Sequence, residues 1–572
     1  MAMTTDAANK GDVLPVKLLT ECSWEVCNKI GGIYTVLSTK AVELKKMFGD
    51  ALVFIGPDLG QGLDSGKPSE FKEYRTLLKS FSKSKLPLGL KARCGRWTIP
   101  GSPLVVLVDF RPIYAHLNDL YGEMWQNFGV DSLHSYGDYD ESCAFAVAAA
   151  MVAIELGKHL GVLPEGQIAH YNEWTTGMGL LYMKLHQPNT ATVFTTHATT
   201  VGRSICGNGK PLYQYFGYYN GDQMAGELNV ESKHSLEKAA AWNADCFTTV
   251  SDVTAKECAQ LLGRTPDVVT PNGFEPLFVP ESVKWEKQRK KGREKILKIA
   301  SLLADRELPV DTFIIATSGR NEFRNKGLDL FLDTMRRLAD KIQETDRKVL
   351  ALVLVPAWVK QPSGDLLVDL DFGGWIKPDP DYLTHRLNNE DSDPLAVNIR
   401  RLQAEMVSLG VDKNVKIVYV PSYLDGNDGI VNISYYDFLP AADITLFGSY
   451  YEPWGYTPLE SVAFGVPTIT TDKAGFGEWA RTIGADTLEK DGVAVIDRGD
   501  ENYVQNVDEI SDLLLNFMRE PEQTTLRARE GAVFTASKAE WQFFIKDYFK
   551  AFEVALENAK NRNEAFTKPL EL

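Results

Sequence analysis

The chain has 572 residues, which is enough for several domain-sized units or two large ones. Hydrophobic residues make up 44% of the sequence and charged residues 24%, a balance typical of a globular protein with a large core. The formal net charge of -16 argues against non-specific binding to nucleic acid or to anionic lipid. We therefore expect neither a nucleic-acid partner nor a membrane partner.

The cysteine pattern and the apolar segments indicate a reduced, cytoplasmic protein. The 7 cysteines include no Cys-x-x-Cys pair, so neither a disulfide framework nor a structural zinc site is expected. The segment Met1–Lys10 is small and polar, unlike a secretory signal. The longest apolar stretch, Cys143–Ile154, is too short to span a bilayer and predicts a buried helix.

Short apolar runs alternate with helix-period segments along most of the chain. Runs that are apolar on both sides predict strands buried on both faces, as in parallel sheets with helical crossovers. The first set of predicted strands is Ala51–Ile55, Leu104–Asp109, Gln167–Tyr171, Ala191–His197 and Cys246–Val250. The second set is Thr312–Ser318, Val349–Val355, Val415–Val420, Asp443–Phe447 and Pro467–Thr470. The pattern predicts an α/β protein with two doubly wound halves.

The predicted domains are residues 1–280, 281–535 and 536–572. The charged stretch Glu281–Lys298 predicts a solvated helix that links the two halves, and a site for an anionic polymer is the alternative. The segment Gln361–Gly410 is rich in Pro, Asp and Asn and predicts an insertion with its own helix, Pro394–Leu409. Aromatic residues along one face of Lys538–Ala559 predict a helix docked on a domain.

The most informative stretch is Ser449–Glu460, which follows a predicted strand and enters a predicted helix. The amides from Gly455 to Leu459 would form an anion site at the carboxyl edge of the sheet. We place Glu460 in the first turn of that helix, where it could bind a ribose diol, and Glu452 on the loop, facing a second polyol. A single Glu could instead compensate the helix dipole. The residues between the two glutamates that we assign to substrate binding are Trp454, Gly455, Tyr456 and Thr457.

A second group of residues follows the predicted strand Thr312–Ser318. Arg320 stands at the carboxyl end of this strand and Lys326 at the entry of the next predicted helix. A guanidinium fork and an ammonium at a strand-to-helix turn suit a diphosphate. A surface ion-pair network is the alternative.

Polar residues also follow predicted strands in the first half of the chain. His197 and Arg203 lie on the exit of Ala191–His197, where they could meet a sugar hydroxyl and a phosphate; a lone His more often satisfies a core hydrogen bond. Gly31 and Gly32 would let the backbone approach a ligand, with a helix from Tyr34 pointing its N-terminus there. Two further segments, His170–Trp174 and Pro271–Gly273, also follow strands. The Asn-Gly within the second segment most often only makes a turn.

Other chemistries find little support in the sequence. The three Asp-x-Asp pairs follow no clear apolar strand, which argues against a metal-dependent transferase of that type. The sequence contains no Gly-x-x-x-x-Gly-Lys-Ser/Thr, no Gly-x-Ser-x-Gly and no His-Glu-x-x-His motif.

Three motifs closely resemble the eukaryotic-type glycogen (starch) synthases of glycosyltransferase family 3. They are Tyr450-Tyr-Glu452-Pro-Trp-Gly-Tyr-Thr-Pro-Leu-Glu460, Thr196-His197-Ala198 with Gly202-Arg203, and Asn28-Lys-Ile-Gly-Gly-Ile-Tyr-Thr-Val36. The resemblance runs from about Glu21 to Gly477, with a weaker similarity in the last helix. It implies the GT-B fold, in which two Rossmann-like domains face a cleft and the last helices return to the N-terminal domain.

The resemblance also implies an activity: retaining transfer of glucose from UDP-glucose to the 4-hydroxyl at a non-reducing end of an α-glucan. It implies no cofactor and no metal ion, because cations and helix-terminal amides can neutralise the departing diphosphate. Carried over to this sequence, the diphosphate would be held by Arg203, Arg320 and Lys326. The donor glucose would be contacted by His197, Asn272 and Glu452. Glu460 would hold the ribose, Tyr435 would stack on the uracil, and Gly31 with Gly32 would let the N-terminal domain close.

The sequence also departs from that family. Members often carry His-Glu-Trp where this chain has Asn172-Glu173-Trp174, so Asn172 receives no catalytic role. The arginine-rich helix that binds glucose 6-phosphate in animal and fungal enzymes is replaced by the well-spread Arg519, Arg527 and Arg529. We expect an unregulated or differently regulated prokaryotic member, and a homotetramer because the insertion falls where the family builds its tetramer contacts.

Three alternatives stay open at this point. One is a GT-B transferase that uses ADP-glucose or makes another α-glucoside. A second is a silent glucan- or nucleotide-binding scaffold, although the glutamates and cations are all present. The third is a phosphorylase with an aldimine lysine.

Overall fold

The computed structural model describes residues 14–60, 70–373 and 378–567. The predictions made for Met1–Lys10 lie outside these ranges. The described chain forms two lobes, each built around a mainly parallel sheet with helices on both faces.

The first lobe contains a nine-stranded sheet in the order β3-β4-β5-β2-β1-β6-β7-β8-β9. All its strand pairs are parallel except β3–β4 and β4–β5. The strands are β1 (Leu18–Cys22), β2 (Leu52–Pro57), β3 (Phe71–Glu73), β4 (Lys91–Trp97), β5 (Leu104–Asp109), β6 (Gln167–Asn172), β7 (Ala191–Thr196), β8 (Cys246–Thr249) and β9 (Val268–Val269). The helices of this lobe are α1 (Gly32–Phe48), α2 (Leu77–Ser80), α3 (Leu117–Phe128), α4 (Tyr139–Leu160), α5 (Trp174–His186), α6 (Thr200–Gly207), α7 (Gly221–Glu227), α8 (Glu231–Asn243) and α9 (Asp252–Glu257).

The second lobe contains a six-stranded parallel sheet in the order β14-β11-β10-β15-β16-β17, and a separate two-stranded ribbon, β12-β13. The strands are β10 (Phe313–Ser318), β11 (Val349–Leu354), β12 (Val359–Pro362), β13 (His385–Leu387), β14 (Val415–Val420), β15 (Ile444–Leu446), β16 (Thr468–Thr471) and β17 (Val493–Ile496). The helices in this half of the chain are α10 (Ser282–Ala304), α11 (Leu328–Lys341), α12 (Gly364–Phe372), α13 (Pro394–Ser408), α14 (Tyr435–Phe438), α15 (Tyr456–Ala463), α16 (Gly475–Thr482), α17 (Leu488–Asp491), α18 (Tyr503–Arg519), α19 (Glu522–Ser537) and α20 (Trp541–Thr567), of which α20 returns to the first lobe.

Both sheets follow the strand order of a Rossmann fold. In each lobe the first parallel strand lies at the centre, with the second and third strands on one side and the later strands on the other. The prediction of two doubly wound halves is therefore confirmed. All ten predicted strands are present with ends within two residues, because their apolar side chains are buried on both faces.

The predicted buried helix at Cys143–Ile154 is confirmed and is longer at both ends, forming α4. Among the described helices, α4 alone is long and apolar enough to cross a membrane by length and composition, yet 78% of that stretch is buried inside the protein. Its Ala-rich surface packs between β1, β2, β5 and α5, as expected of a core helix.

Two other sequence interpretations are only partly right. The charged stretch does form a helix, α10, but Arg289 and Arg293 are not simply solvated, since both pair with Asp443 of the second lobe. A cavity of about 800 Å³ runs along α10 and shares no residue with the predicted substrate site. The segment Gln361–Gly410 is not wholly an insertion, because α13 packs on α11 as the crossover helix between β11 and β14.

The chain crosses between the lobes twice, and the two crossings are hydrogen-bonded to each other. Phe274 N donates to Ala539 O at 2.9 Å, and Trp541 N donates to Phe274 O at 3.2 Å. A Cβ on Gly273 would lie 2.6 Å from the Trp541 ring, so this approach requires glycine. After the second crossing, α20 packs on α1, β7 and β8 of the first lobe, which confirms the docked aromatic helix.

Candidate active site

The predicted site residues lie at the carboxyl ends of the strands, where the two lobes face each other. In the second lobe, Arg320 follows β10 and Glu452 follows its neighbour β15, the pair of strands at which the strand order reverses. In the first lobe, His197 follows β7, and Gly31 follows β1 across the loop to α1. Such reversal points are where open α/β sheets bind ligands.

Lys326 and Glu452 form an ion pair, with side chains that are only 15% and 12% exposed. The backbone brings them together, because the carbonyl of Asn325 accepts hydrogen bonds from Tyr450 N and Tyr451 N at 2.9 and 3.1 Å. Gly327 permits this contact: its φ is +66°, and a Cβ there would lie 1.9 Å from the Gly448 carbonyl oxygen. Two residues predicted from separate motifs therefore meet in one place.

The three predicted diphosphate-binding cations all act electrostatically on Glu322, a residue that the sequence interpretation missed. Arg320 Nη2 lies 2.8 Å from Glu322 Oε1, and the Arg320 side chain is 55% exposed to the cleft. Burial raises the pKa of Glu322, but the charges of Arg320, Lys326 and Arg203 outweigh it and lower that pKa. Arg203 belongs to the other lobe, so cations from both lobes act on one carboxylate. The only available signal was an acidic residue two positions after Arg320.

Glu460 lies in the second turn of α15, not in the first turn as predicted. Gly455, with φ of +106°, caps the helix, so the helix begins at Tyr456. The Tyr436 hydroxyl donates to Glu460 Oε1 at 2.7 Å. Burial raises the pKa of Glu460 to about 7, against the opposing effects of the Tyr436 hydrogen bond and the charge of Lys29. The ribose-binding role of Glu460 stays a prediction.

Tyr435, the predicted uracil-stacking residue, lies next to this carboxylate. Its hydroxyl is 2.9 Å from Ser318 Oγ at the end of β10, and its ring is tilted by 49° to that of Tyr436. Tyr436, rather than Tyr435, therefore holds Glu460. The stacking role of Tyr435 stays a prediction.

The glycine loop of the first lobe differs from the prediction in one respect. Helix α1 begins at Gly32 rather than Tyr34, and Glu25 Oε2 accepts hydrogen bonds from Gly31 N at 2.7 Å and Tyr34 N at 2.9 Å. The amides expected to face a ligand are thus bound by a carboxylate of the same loop. A Cβ on Gly32 would meet no atom within 4 Å, so the outer side of the loop is open to a ligand.

His197 is buried at the end of β7 and is held from two sides. Its backbone N–H donates to Glu173 Oε2 at 3.0 Å, and its Nε2 lies 3.3 Å from Asn172 Oδ1. Burial, followed by the charge of Lys40, lowers the pKa of His197 to about 3. The ring is therefore neutral at physiological pH and can exchange hydrogen bonds with a sugar hydroxyl.

A loop of the second lobe reaches into the first lobe beside Arg203. Tyr450 and Tyr451 belong to a buried cluster that is otherwise made of first-lobe residues. The Tyr451 hydroxyl donates to Glu257 Oε1 at 2.7 Å, and the same carboxylate oxygen accepts a hydrogen bond from Thr199, which caps the helix carrying Arg203. Sequence reasoning identified Tyr450 and Tyr451 only as motif residues and missed Glu257, because their contact crosses between lobes.

The remaining predicted residues surround this group. Asn272 is buried, and its Oδ1 has no hydrogen-bond partner within the described part of the chain. Trp454 is buried against Phe476, Trp479 and Phe544, so its ring packs α20 against the second lobe. Tyr456 and Thr457 open α15 at the cleft and are half-buried. Their contacts with substrate stay predictions.

This architecture defines the class of protein. Two Rossmann-like lobes, with the predicted site residues at the carboxyl ends of their strands, have the architecture of a GT-B glycosyltransferase. Among solved structures, the catalytic domain of starch synthase IV from Arabidopsis thaliana bound to ADP and acarbose has a TM-score of 0.56 at 15% identity, covering 95% of this chain and 100% of that one. The α,α-trehalose 6-phosphate synthase from Burkholderia multivorans has a TM-score of 0.53 at 9% identity, covering 97% and 99%. Similarity at this level shows the fold.

Sequence comparison identifies the family. The glycogen synthase family model matches residues 21–367 and 377–569. The glycogen [starch] synthase of Neurospora crassa is 28% identical over 599 residues, covering 95% of this chain and 84% of that protein. The human liver enzyme of the same name is 28% identical over 604 residues, covering 96% and 84%. The chain belongs to the glycogen synthase family, and it is a glucosyltransferase that elongates a glucan.

Proposed function

We propose that this enzyme transfers glucose from UDP-glucose to the 4-hydroxyl at the non-reducing end of an α-1,4-glucan, with retention of configuration. The observation that carries the proposal is that the charges of Arg203, Arg320 and Lys326, from both lobes, all lower the pKa of the Glu322 carboxyl, with Arg320 in direct contact with it. A diphosphate placed between the lobes would meet the same three cations. Guanidinium and ammonium groups gathered around one point are the arrangement that a diphosphate leaving group requires.

The geometry supports a sequence of roles. Departure of UDP builds negative charge on the diphosphate, which the cations and the first amides of α15 stabilise. Glu452, held beside Lys326, would stabilise positive charge on the glucose ring as the bond to UDP breaks. The neutral ring of His197 would bind a sugar hydroxyl. The departing phosphate would take the proton of the attacking 4-hydroxyl on the same face, so that no side-chain base is needed.

The donor and the metal requirement are tested in one assay. Purified enzyme is incubated with glycogen and either UDP-glucose or ADP-glucose, with and without EDTA, and release of nucleoside diphosphate and growth of the α-glucan are followed. We expect turnover with UDP-glucose that is unchanged by EDTA. Preferred turnover with ADP-glucose would favour the alternative donor, and loss of turnover in EDTA would contradict metal-independent transfer.

A matched pair of variants connects this assay to the site. Lys326→Ala removes a predicted diphosphate ligand, whereas Lys341→Ala removes an ammonium at the other end of α11 that pairs with Asp512. We expect turnover to fall about 100-fold or more in the first variant only. Equal activity of the two variants would contradict the assignment of the diphosphate site.

The assembly and location of the enzyme are part of the same proposal. A homotetramer is expected from the family resemblance, and a cytoplasmic location from the cysteine pattern and the apolar segments. Light scattering of the purified full chain measures its mass in solution directly. A monomer would contradict the proposed tetramer, and cell fractionation tests the location.

A further inference from the structure

A continuous set of hydrogen bonds lies beneath His197 and passes through Asn172, the last residue of β6. Asn172 Nδ2 donates to Glu21 Oε2 and to the Cys22 carbonyl, both at 3.2 Å. Glu21 is also bound by Lys40 Nζ at 3.1 Å and by His170 Nδ1 at 2.7 Å. All of these groups are buried. Asn172 occupies the position where the family resemblance leads one to expect a histidine.

These contacts fix which way the Asn172 amide points. Burial alone would raise the pKa of Glu21, but His170 and Lys40 hold it at about 2, so the carboxylate is ionised. An ionised carboxylate can only accept hydrogen bonds, and the same is true of the Cys22 carbonyl oxygen. The NH2 group of Asn172 must therefore face Glu21 and Cys22. Its carbonyl oxygen, Oδ1, is left facing His197 Nε2 at 3.3 Å.

The orientation of the amide in turn fixes the proton on His197. An amide oxygen is an acceptor only, so the hydrogen bond requires a proton on His197 Nε2. In a neutral ring the other nitrogen, Nδ1, then carries a lone pair. Nδ1 forms no hydrogen bond with any residue that the structure describes, and it is not a fully enclosed atom. It is thus available to accept a hydrogen bond from a ligand hydroxyl.

The charged and titratable groups around His197 favour the neutral ring. They are Lys40 on α1, His170 on β6, Glu21 on β1, Arg203 on α6 and Glu173 on the loop after β6. Burial disfavours the imidazolium, and the cations among these groups add to that effect.

We propose that Asn172 is a positioning residue: it holds His197 in the Nε2–H tautomer and so presents Nδ1 as the hydrogen-bond acceptor for a hydroxyl of the donor glucose. That this hydroxyl belongs to a donor glucose rests on the proposed function. Asn172 itself does not touch the substrate. Its effect is confined to the sugar end of the donor, because UDP alone offers His197 no glucose hydroxyl.

Two substitutions at Asn172 test this role by kinetics. Asn172→Leu removes both the donor and the acceptor at similar volume, and we expect kcat/KM for UDP-glucose to fall about tenfold, the loss of one buried hydrogen bond. The inhibition constant of UDP is expected to change less than twofold. Asn506→Leu, which removes a comparably buried amide on α18, serves as a control that loses stability without losing kcat/KM. An unchanged kcat/KM in Asn172→Leu would overturn the proposal, as would an equal loss of UDP binding.

The second substitution, Asn172→Asp, keeps an acceptor for Nε2, and in its protonated form the new O–H can replace the amide as the donor to Glu21. We expect activity close to wild type at low pH. Activity should fall as the pH is raised and the new carboxyl group ionises, because the carboxylate no longer donates to Glu21 and favours the imidazolium of His197, which has no lone pair on Nδ1. Asn172→Leu would not recover at any pH. A pH profile of Asn172→Asp identical to that of the wild type would contradict the role.

A measurement that needs no turnover separates this inference from the proposed function. Two-bond ¹H–¹⁵N correlation spectra of histidine-labelled enzyme report the tautomer of each of its 8 histidines, and His197→Asn assigns the signal. We expect the Nε2–H pattern between pH 6 and 9 in the wild type and a mixture of tautomers in Asn172→Leu. An Nδ1–H pattern in the wild type would overturn the inference even if glucose transfer is observed. Failure of every donor would overturn only the proposed function.

Discussion

The Lys326–Glu452 ion pair allows the chemical roles of its two members to be separated from their mutual stabilisation. With the side chains 15% and 12% exposed, the pair is intermediate between a surface pair and a buried one. Surface pairs contribute about 0–1 kcal/mol, and loss of one partner of a buried pair costs about 3–5 kcal/mol. We expect Lys326→Ala or Glu452→Ala to lower the free energy of unfolding by about 2 kcal/mol. The double variant should lose much less than the sum, because neither charge is left alone.

Turnover should behave differently, since the two side chains are assigned to different parts of the donor. Loss of one electrostatic contact to the transition state typically costs about 10²–10³-fold in turnover. We expect such a loss from each single variant and a loss of about 10⁴–10⁶-fold from Lys326→Ala/Glu452→Ala if the contacts act independently. Lys326→Ala should also weaken UDP binding, whereas Glu452→Ala should bind UDP almost normally.

The assays are UDP release from UDP-glucose with glycogen, UDP titration by calorimetry, and unfolding in urea. The pair Lys341 and Asp512, substituted in the same way, serves as a control with no expected effect on turnover. If the double variant turned over as fast as either single variant, and all three bound UDP equally weakly, the two residues would act only by stabilising each other in the ion pair. The assignment of separate phosphate and glucose roles would then be refuted.

Three further predictions concern other parts of the site. Arg320→Ala should lower turnover by about 100-fold with unchanged unfolding, because the side chain is 55% exposed; near-normal activity would contradict its contact with the diphosphate. UDP affinity should rise as the pH is raised through about 7, where Glu460 ionises. In UDP titrations, Glu460→Gln should abolish that part of the pH dependence. A pH profile of UDP affinity that is unaltered in Glu460→Gln would exclude Glu460 as its source. Tyr451→Phe should lower the free energy of unfolding by about 1–2 kcal/mol and slow turnover severalfold, through loss of the hydrogen bond to Glu257; a variant identical to wild type in both measurements would argue against coupling through this contact.

The sheet architecture could be predicted from the sequence because most of its strands are continuous apolar runs. The central strand β1 was missed, since it contains Thr20 and Glu21. A buried glutamate is acceptable there only because Lys40 pairs with it and His170 donates a hydrogen bond to it, and these partners lie 19 and 149 residues away along the chain. Pairing at such distances cannot be read from local composition.

The site was predicted where local motifs carry it and missed where two lobes build it. Lys326 and Glu452 were identified from their own segments, and the structure brings them into contact. Glu257 was missed because its partner Tyr451 comes from the opposite lobe, and Glu322 was missed because a single acidic residue two positions after Arg320 is too weak a signal. The position of Glu460 within α15 was wrong because Gly455, in a left-handed conformation, caps the helix and lets it begin already at Tyr456.

The paired crossings at Phe274 and Ala539–Trp541 have a mechanical consequence. Two connections tied to each other by hydrogen bonds leave few ways for one lobe to turn relative to the other, and the easiest is a swing about the line through both. Points near that line travel least. Asn272 lies two residues from Phe274, so it would keep its place while more distant parts of the second lobe are carried towards or away from the first lobe. The residue that we expect to contact the donor glucose would thus stay fixed as the lobes open and close.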